Sequence, residues 1–230
     1  SVYIFDSGVP GGSVLILGGV HPYEPASPMT AYLVMENVKV SEGRVFVIPR
    51  ANPSASTLGM LGNAYPPFFH ITTAWGVKKY RIGDRETHPL DQWPDPFTAV
   101  HYPSTQNLAY QDSRNLNRMF PGRPDGNLTE RTAFAISELI RREKIDMTID
   151  VHEASMGYPV VSTYVCHQRA EELCMMAAMV LSAEQFPMKT ETSPKSLRGL
   201  THREIGDFTD SFAVLMETPE PFIDKFVGPM

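Results

Sequence analysis

Cysteine is scarce in this chain: only Cys166 and Cys174 occur in 230 residues. Two are too few for a cysteine metal cluster, and their spacing alone does not establish a disulfide, so they are expected to act as small core hydrophobes. Basic charge is short as well. Twenty Lys and Arg stand against 26 Asp and Glu, a net charge of −6, and the basic residues are scattered; this argues against a nucleic-acid surface. Long apolar runs are missing, and nothing approaches the roughly 18 residues that a membrane span needs. No repeat and no linker-like stretch interrupts the chain, so residues 1–230 read as one domain. The sequence opens at Ser1 without an initiator methionine. That leaves room for a removed leader and leaves the compartment open between cytoplasm and periplasm.

What is present is an ordinary globular composition, 42% hydrophobic and 20% charged, arranged in alternating elements. "SVYIF" (1–5), "SVLILGG" (13–19) and "RVFVIPR" (44–50) predict strands. Met29, Tyr32 and Leu33 recur at helical spacing between Pro25 and Asn37. Strand–helix–strand order of this kind favours a partly parallel sheet covered by helices. Residues 127–144 predict a helix capped by Asn127, with Glu130 placed for a reciprocal contact and basic residues in its last turn. Strands are expected at 145–152, 158–165 and 211–218, and a helix at 168–186 whose methionines are expected in the core. Between about residues 55 and 112 the pattern breaks into a Pro- and aromatic-rich insertion, which its aromatic content marks as ordered rather than disordered.

The chemistry-bearing residues sit at strand ends. "GGVHPYEP" puts His21 and Glu24 just beyond the strand at 13–17, where open α/β sheets bind ligands. "IDVHEA" puts His152 at the end of another apolar strand, while Glu153 points to the opposite face. Two histidines and a carboxylate make a three-ligand set of the kind that leaves a catalytic zinc one open position for water. Glu217, in "VLMETPEP", is a carboxylate against Val214, Leu215 and Met216; such a group is costly unless it has work, and it fits a proton-shuttling base. Asn117 and Arg118, in "NLNRMFPG", are adjacent donors suited to a carboxylate.

These motifs, in this order and spanning residues 13 to 220, resemble the zinc carboxypeptidase superfamily, in its succinylglutamate desuccinylase/aspartoacylase-like branch. The resemblance implies a mixed, mostly parallel central sheet flanked by helices, and one zinc ion per chain held by His21, Glu24 and His152. Glu217 would activate the zinc-bound water, and Asn117 with Arg118 would hold the substrate's carboxylate. Arg118, or a neighbour such as Arg114, would polarise the scissile carbonyl. His202 and Arg203, in "GLTHREIGDFTD", are possible cleft residues. The implied partner is a small acyl-amino acid or short peptide carrying a carboxylate, in a deacylase or a carboxypeptidase; neither nucleic acid nor membrane is expected, and the oligomeric state stays open. The sequence departs from the family at two points. Pro22-Tyr23 follows the first zinc histidine in place of a glycine, and Asn115 stands where an acidic residue orients that histidine. The second departure keeps alive an alternative, a non-catalytic zinc- or carboxylate-binding member of the same fold.

Overall fold

A computed structural model describes residues 1–58, 68–74 and 76–220. Its elements, in chain order, are β1 (Tyr3–Asp6), β2 (Ser13–Leu17), α1 (Ala26–Asn37), β3 (Arg44–Ile48), β4 (Phe68–Thr73), β5 (Gly76–Arg81), β6 (Ala99–Val100), β7 (Asn107–Leu108), α2 (Leu128–Glu143), β8 (Met147–Ala154), β9 (Thr163–Cys166), α3 (Glu171–Ala183), β10 (Lys189–Thr192), α4 (Thr201–Phe208) and β11 (Phe212–Pro219). Seven strands form one sheet in the order β1-β3-β2-β8-β11-β9-β10. β1 on β3 and β9 on β11 run antiparallel, and the other four pairings are parallel. This is the mixed, mostly parallel sheet with helices that the sequence resemblance implies.

The three central strands β2, β8 and β11 are parallel neighbours, so their carboxyl ends open on one edge of the sheet. Leu15, Leu17, Phe46, Ile136, Ile140 and Phe120 fill a core on one side of it. A second cluster holds Tyr164, Cys166, Cys174 and Val214. Both cysteines are buried there and form no disulfide, and the Cys166 thiol donates to the Glu191 carbonyl at 3.5 Å.

α2 follows its sequence signals closely. Asn127 accepts from the Glu130 N–H at 2.9 Å, and the Glu130 carboxylate accepts from the Asn127 N–H at 2.9 Å. The helix ends on Lys144 in the left-handed region. α1 differs from expectation. Its core-facing residues are Ser27 and Ala31, while Leu33 is exposed. Close approach is the reason: a Cβ on Gly18 would meet the Ala31 Cβ and the Ser27 carbonyl oxygen at 2.7 Å, so only small residues fit beneath the helix. In α3 the methionines are likewise displaced from the core. Cys174, Ala177, Ala178 and Leu181 make its inner stripe, and Met175, Met176 and Met179 are exposed.

The strand expected at 158–165 shrinks to β9, because Gly157 and Pro159 hold the preceding stretch in turns and Ser162 takes a positive φ of 53°. The described part of the 55–112 insertion carries the β4–β5 hairpin and the short β6–β7 pair; residues 59–67 and 75 of it lie outside the described residues. Among the described residues, no helix is long and apolar enough to cross a membrane.

Candidate metal centre

His21 lies in the turn after β2, Glu24 one residue before the α1 N-cap, and His152 near the end of β8. All three are buried, and one ligand atom from each lies within 4.8 Å of the other two. Glu24 is the hub. Its Oε1 is 2.8 Å from His21 Nδ1, and its Oε2 is 2.9 Å from His152 Nδ1 and accepts the Glu153 N–H at 3.1 Å. Burial pushes the Glu24 carboxyl up, but the two bonded histidines outweigh it and hold the group well below the usual carboxylate range.

Each imidazole is steered from behind. His21 Nε2 is 2.9 Å from Asn115 Oδ1, and that same oxygen accepts the Asn117 N–H at 3.0 Å. The atom is therefore an acceptor, His21 carries a proton on Nε2, and Nδ1 is the nitrogen turned toward Glu24. Burial, the largest influence on His21, lowers its pKa, and Glu24 works against that. Nδ1 lies 2.8 Å from a carboxylate oxygen of Glu24, a contact that needs a proton or a cation between the two groups. His152 Nε2 is 2.9 Å from Asp150 Oδ2. Burial opposes a proton on His152, yet Asp150 and Glu24 together raise it well above the ordinary histidine range. Two inward-facing Nδ1 atoms and a shared carboxylate fit the donor set of a zinc ion with an open fourth position.

Glu217 sits directly beside this set, because β11 pairs with β8 in the register Glu217 to His152. Its Oε2 is buried with no protein partner. Burial raises its carboxyl to about 7; His152 works against the rise, and Glu24 and Asp150 add to it. Glu153 turns to the other face, where its Oε1 accepts the Ala26 N–H at the start of α1. Its carboxyl rises to about 8, by burial first and then the neighbouring glutamates. The Tyr23 ring lies 5.9 Å from the His21 ring, the aromatic neighbour that the Pro22-Tyr23 departure adds.

Asn117 is fixed by α4: its Oδ1 accepts both the Thr201 N–H and the Thr201 hydroxyl, at 2.8 and 3.0 Å. The amide NH2 is left as its donor end. The half-buried Arg118 has no ion-pair partner among the described residues, and burial followed by Arg85 depresses its pKa. Two of the expected basic residues are committed to internal partners. Arg114 pairs with Asp95 at 3.2 Å and Glu86 at 3.9 Å. Arg203 is fully buried and bonds Asp207 at 2.9 Å and the Ser193 carbonyl at 3.0 Å. His202, next to Thr201, is buried with both ring nitrogens unpaired.

Three residues near the site escaped the sequence reading. Asp150 had a signal, since i and i+2 share a strand face with His152. Thr201 had none. Arg85 lies in the insertion, between Gly83, whose N–H bonds the Pro22 carbonyl at 3.1 Å, and Glu86, which forms a β-bridge with Asn115. Those two ties set Arg85 at the rim of the His21 turn, half-buried and without an ion pair among the described residues.

Fold and donor set together define the class: an α/β protein of the zinc-carboxypeptidase-like kind, with a His–Glu–His group at the carboxyl edge of its central strands. Residues 97–214 match the model of the succinylglutamate desuccinylase/aspartoacylase catalytic domain, and the chain belongs to that family. Among solved structures it is similar to an aspartoacylase family protein from Mesorhizobium loti (22% identity, TM-score 0.56, 95% of this chain and 55% of that one). It is also similar to the product-bound ectoine utilization protein EutE (DoeB) from Ruegeria pomeroyi (20%, TM-score 0.55, 94% and 52%). A metallo-carboxypeptidase from Burkholderia cenocepacia shares the fold at 12% identity (TM-score 0.57, 95% and 51%). The chain spans about half the length of each of these proteins. A comparison with curated proteins finds no match.

Proposed function

We propose that this chain is the catalytic unit of a zinc-dependent amide hydrolase, with His21, Glu24 and His152 as the ligands of one zinc ion. The substrate is a small N-acyl amino acid, in preference to the C-terminal bond of a peptide; neither a nucleic acid nor a membrane is involved. The observation that carries this reading is the buried convergence of His21 and His152 Nδ1 on the Glu24 carboxylate, one strand register from Glu217. A zinc ion bound there supplies Lewis acidity toward the scissile carbonyl and toward water.

The protein's own groups do the rest. Glu217, with its unpaired Oε2 and a carboxyl raised to about 7, accepts a proton from the attacking water as the water oxygen bonds to the carbonyl carbon. The same carboxyl then delivers that proton to the leaving nitrogen as the C–N bond breaks. Asn117 offers its amide NH2 to the substrate carboxylate, and Arg118 the guanidinium N–H groups not used on the Asn117 carbonyl. Arg85 takes the role considered above for Arg118 or its neighbour Arg114, stabilising the carbonyl oxygen as negative charge develops on it.

Glu217→Gln is expected to bind zinc as the parent does and to lose about 10²–10⁴-fold in turnover. Zinc content by atomic spectroscopy, with rates on an acyl-amino-acid panel, checks both halves; parental turnover in the variant overturns the role. Asn115 supports a second reading, a zinc- or carboxylate-binding protein without chemistry, since His21 is oriented by an uncharged amide. Stoichiometric zinc with no hydrolysis of any acyl-amino acid or peptide decides for that reading.

A further inference from the structure

The first turn of α4 is built into the wall of the carboxylate subsite. Thr201 locks Asn117, as described, and the Phe120 N–H bonds the Gly199 carbonyl at 3.2 Å. Gly199, at φ +80°, lies so close to Arg118 that an added Cβ would meet its carbonyl oxygen at 2.0 Å. α4 also packs on β8 and β11, the strands that carry His152 and Glu217. His202 follows Thr201 directly. It is 3% exposed, and neither ring nitrogen has a protein partner. Buried polar side chains nearly always have at least one.

The neighbourhood explains which form the ring takes. Burial is the main influence and His152, Arg203, His167 and Arg118 add to it, pushing His202 down to about 3. The ring therefore offers one N–H donor and one acceptor nitrogen. Both carboxylates of α4 are already engaged, Asp207 by Arg203, Arg198 and His167, and Glu204 by Arg198 and the Gly199 N–H.

We propose that His202 is a specificity-determining residue for the amino-acid half of the substrate: it hydrogen-bonds a polar, non-cationic side chain on the amino acid whose carboxylate Asn117 and Arg118 hold. This rests on the carboxylate subsite assigned above. A basic side chain is disfavoured by Arg118, Arg203 and His152. An aliphatic one seals both ring nitrogens away from any partner, and sites built to hydrogen-bond a substrate group discriminate strongly against analogues that lack it.

The test is equilibrium binding, by calorimetry, of N-acetyl-L-glutamine, N-acetyl-L-norleucine and Nα-acetyl-L-lysine to the zinc-loaded Glu217→Gln chain, in which turnover does not interfere. The glutamine derivative is expected to bind at least about 10-fold more tightly than the other two. His202→Leu removes that preference, and His202→Asn, which keeps a donor and an acceptor, retains part of it. Equal affinities, a preference untouched by His202→Leu, or no binding by any derivative overturns the proposal. If His202→Leu does not fold, the affinity order of the parent and its response to His202→Asn decide. Binding with the expected order but no turnover by the parent chain overturns the hydrolase reading and leaves His202's role standing; turnover without the order does the reverse.

Discussion

At the scale of single residues, the two histidines of the triad are held by unlike acceptors. Asp150 stands behind His152 with a carboxyl oxygen, whereas Asn115 stands behind His21 with an amide oxygen. The amide serves two donors through Oδ1, the His21 Nε2–H and the Asn117 N–H, while its own Nδ2 is buried without a partner. A carboxylate in the same place keeps both acceptances, removes the orphaned donor and places charge behind His21, making Nδ1 a better ligand. Asn115→Asp is therefore expected to tighten zinc binding about 10-fold, read by competition with a chromophoric chelator. Unchanged or weaker affinity refutes this account of the amide. The identity of residue 115 was plain in the sequence, as was its position two before the Asn117-Arg118 pair. Its contact with His21 needed the fold, since 94 residues separate them.

At the scale of elements, legibility follows from how local the determining forces are. α2 announces itself because its cap, its dipole-matched ends and its apolar face are all written within its own residues. α4 does not, because Thr201 to Gly206 are all buried and most of them are polar. Such a stretch reads as a loop until Arg198, Asp207 and Asn117 are known to meet it. Glu204 illustrates the cost of that burial. Its carboxylate accepts from Arg198 at 2.7 Å and from the Gly199 N–H at 2.8 Å, and His101 Nε2 lies 3.7 Å away. Burial nevertheless raises it to about 7, with Asp207 adding to the rise. The folded state thus holds a proton that the unfolded chain releases near pH 4.5. Stability from this carboxyl is complete below about pH 4.5, declines as pH climbs toward 7, and is level above. Glu204→Gln, which mimics the protonated form, lacks that decline. Urea denaturation at pH 5 and pH 8 is expected to move the difference between parent and variant in the variant's favour by as much as about 3 kcal/mol. Movement in the parent's favour means that the Arg198 pair outweighs desolvation.

At the scale of the whole molecule, the candidate metal centre joins parts that the chain order keeps far apart. His21 and Glu24 belong to the β2–α1 turn and His152 to β8, and Asn115 comes from the segment between them. The sequence placed each of these at a strand end or in a motif, but not the strand order β2-β8-β11 that makes them neighbours, because non-local pairing leaves no mark on local hydrophobic pattern. The two apolar clusters contain none of the three ligands, so the sheet is expected to persist without metal. A zinc ion bound only by the folded chain then adds stability by mass action, about 2.7 kcal/mol when free zinc is at 100 times its Kd. For a chain of this size that corresponds to a rise in Tm of roughly 5–10 °C. Thermal unfolding of chelator-treated protein, before and after zinc is restored, measures the difference. His152→Ala is expected to abolish it, and Glu217→Gln to leave it intact because Glu217 is assigned to proton transfer and not to ligation. A chain whose Tm ignores zinc, or a shift that survives His152→Ala, removes the triad from the metal site and with it the basis for the hydrolase reading.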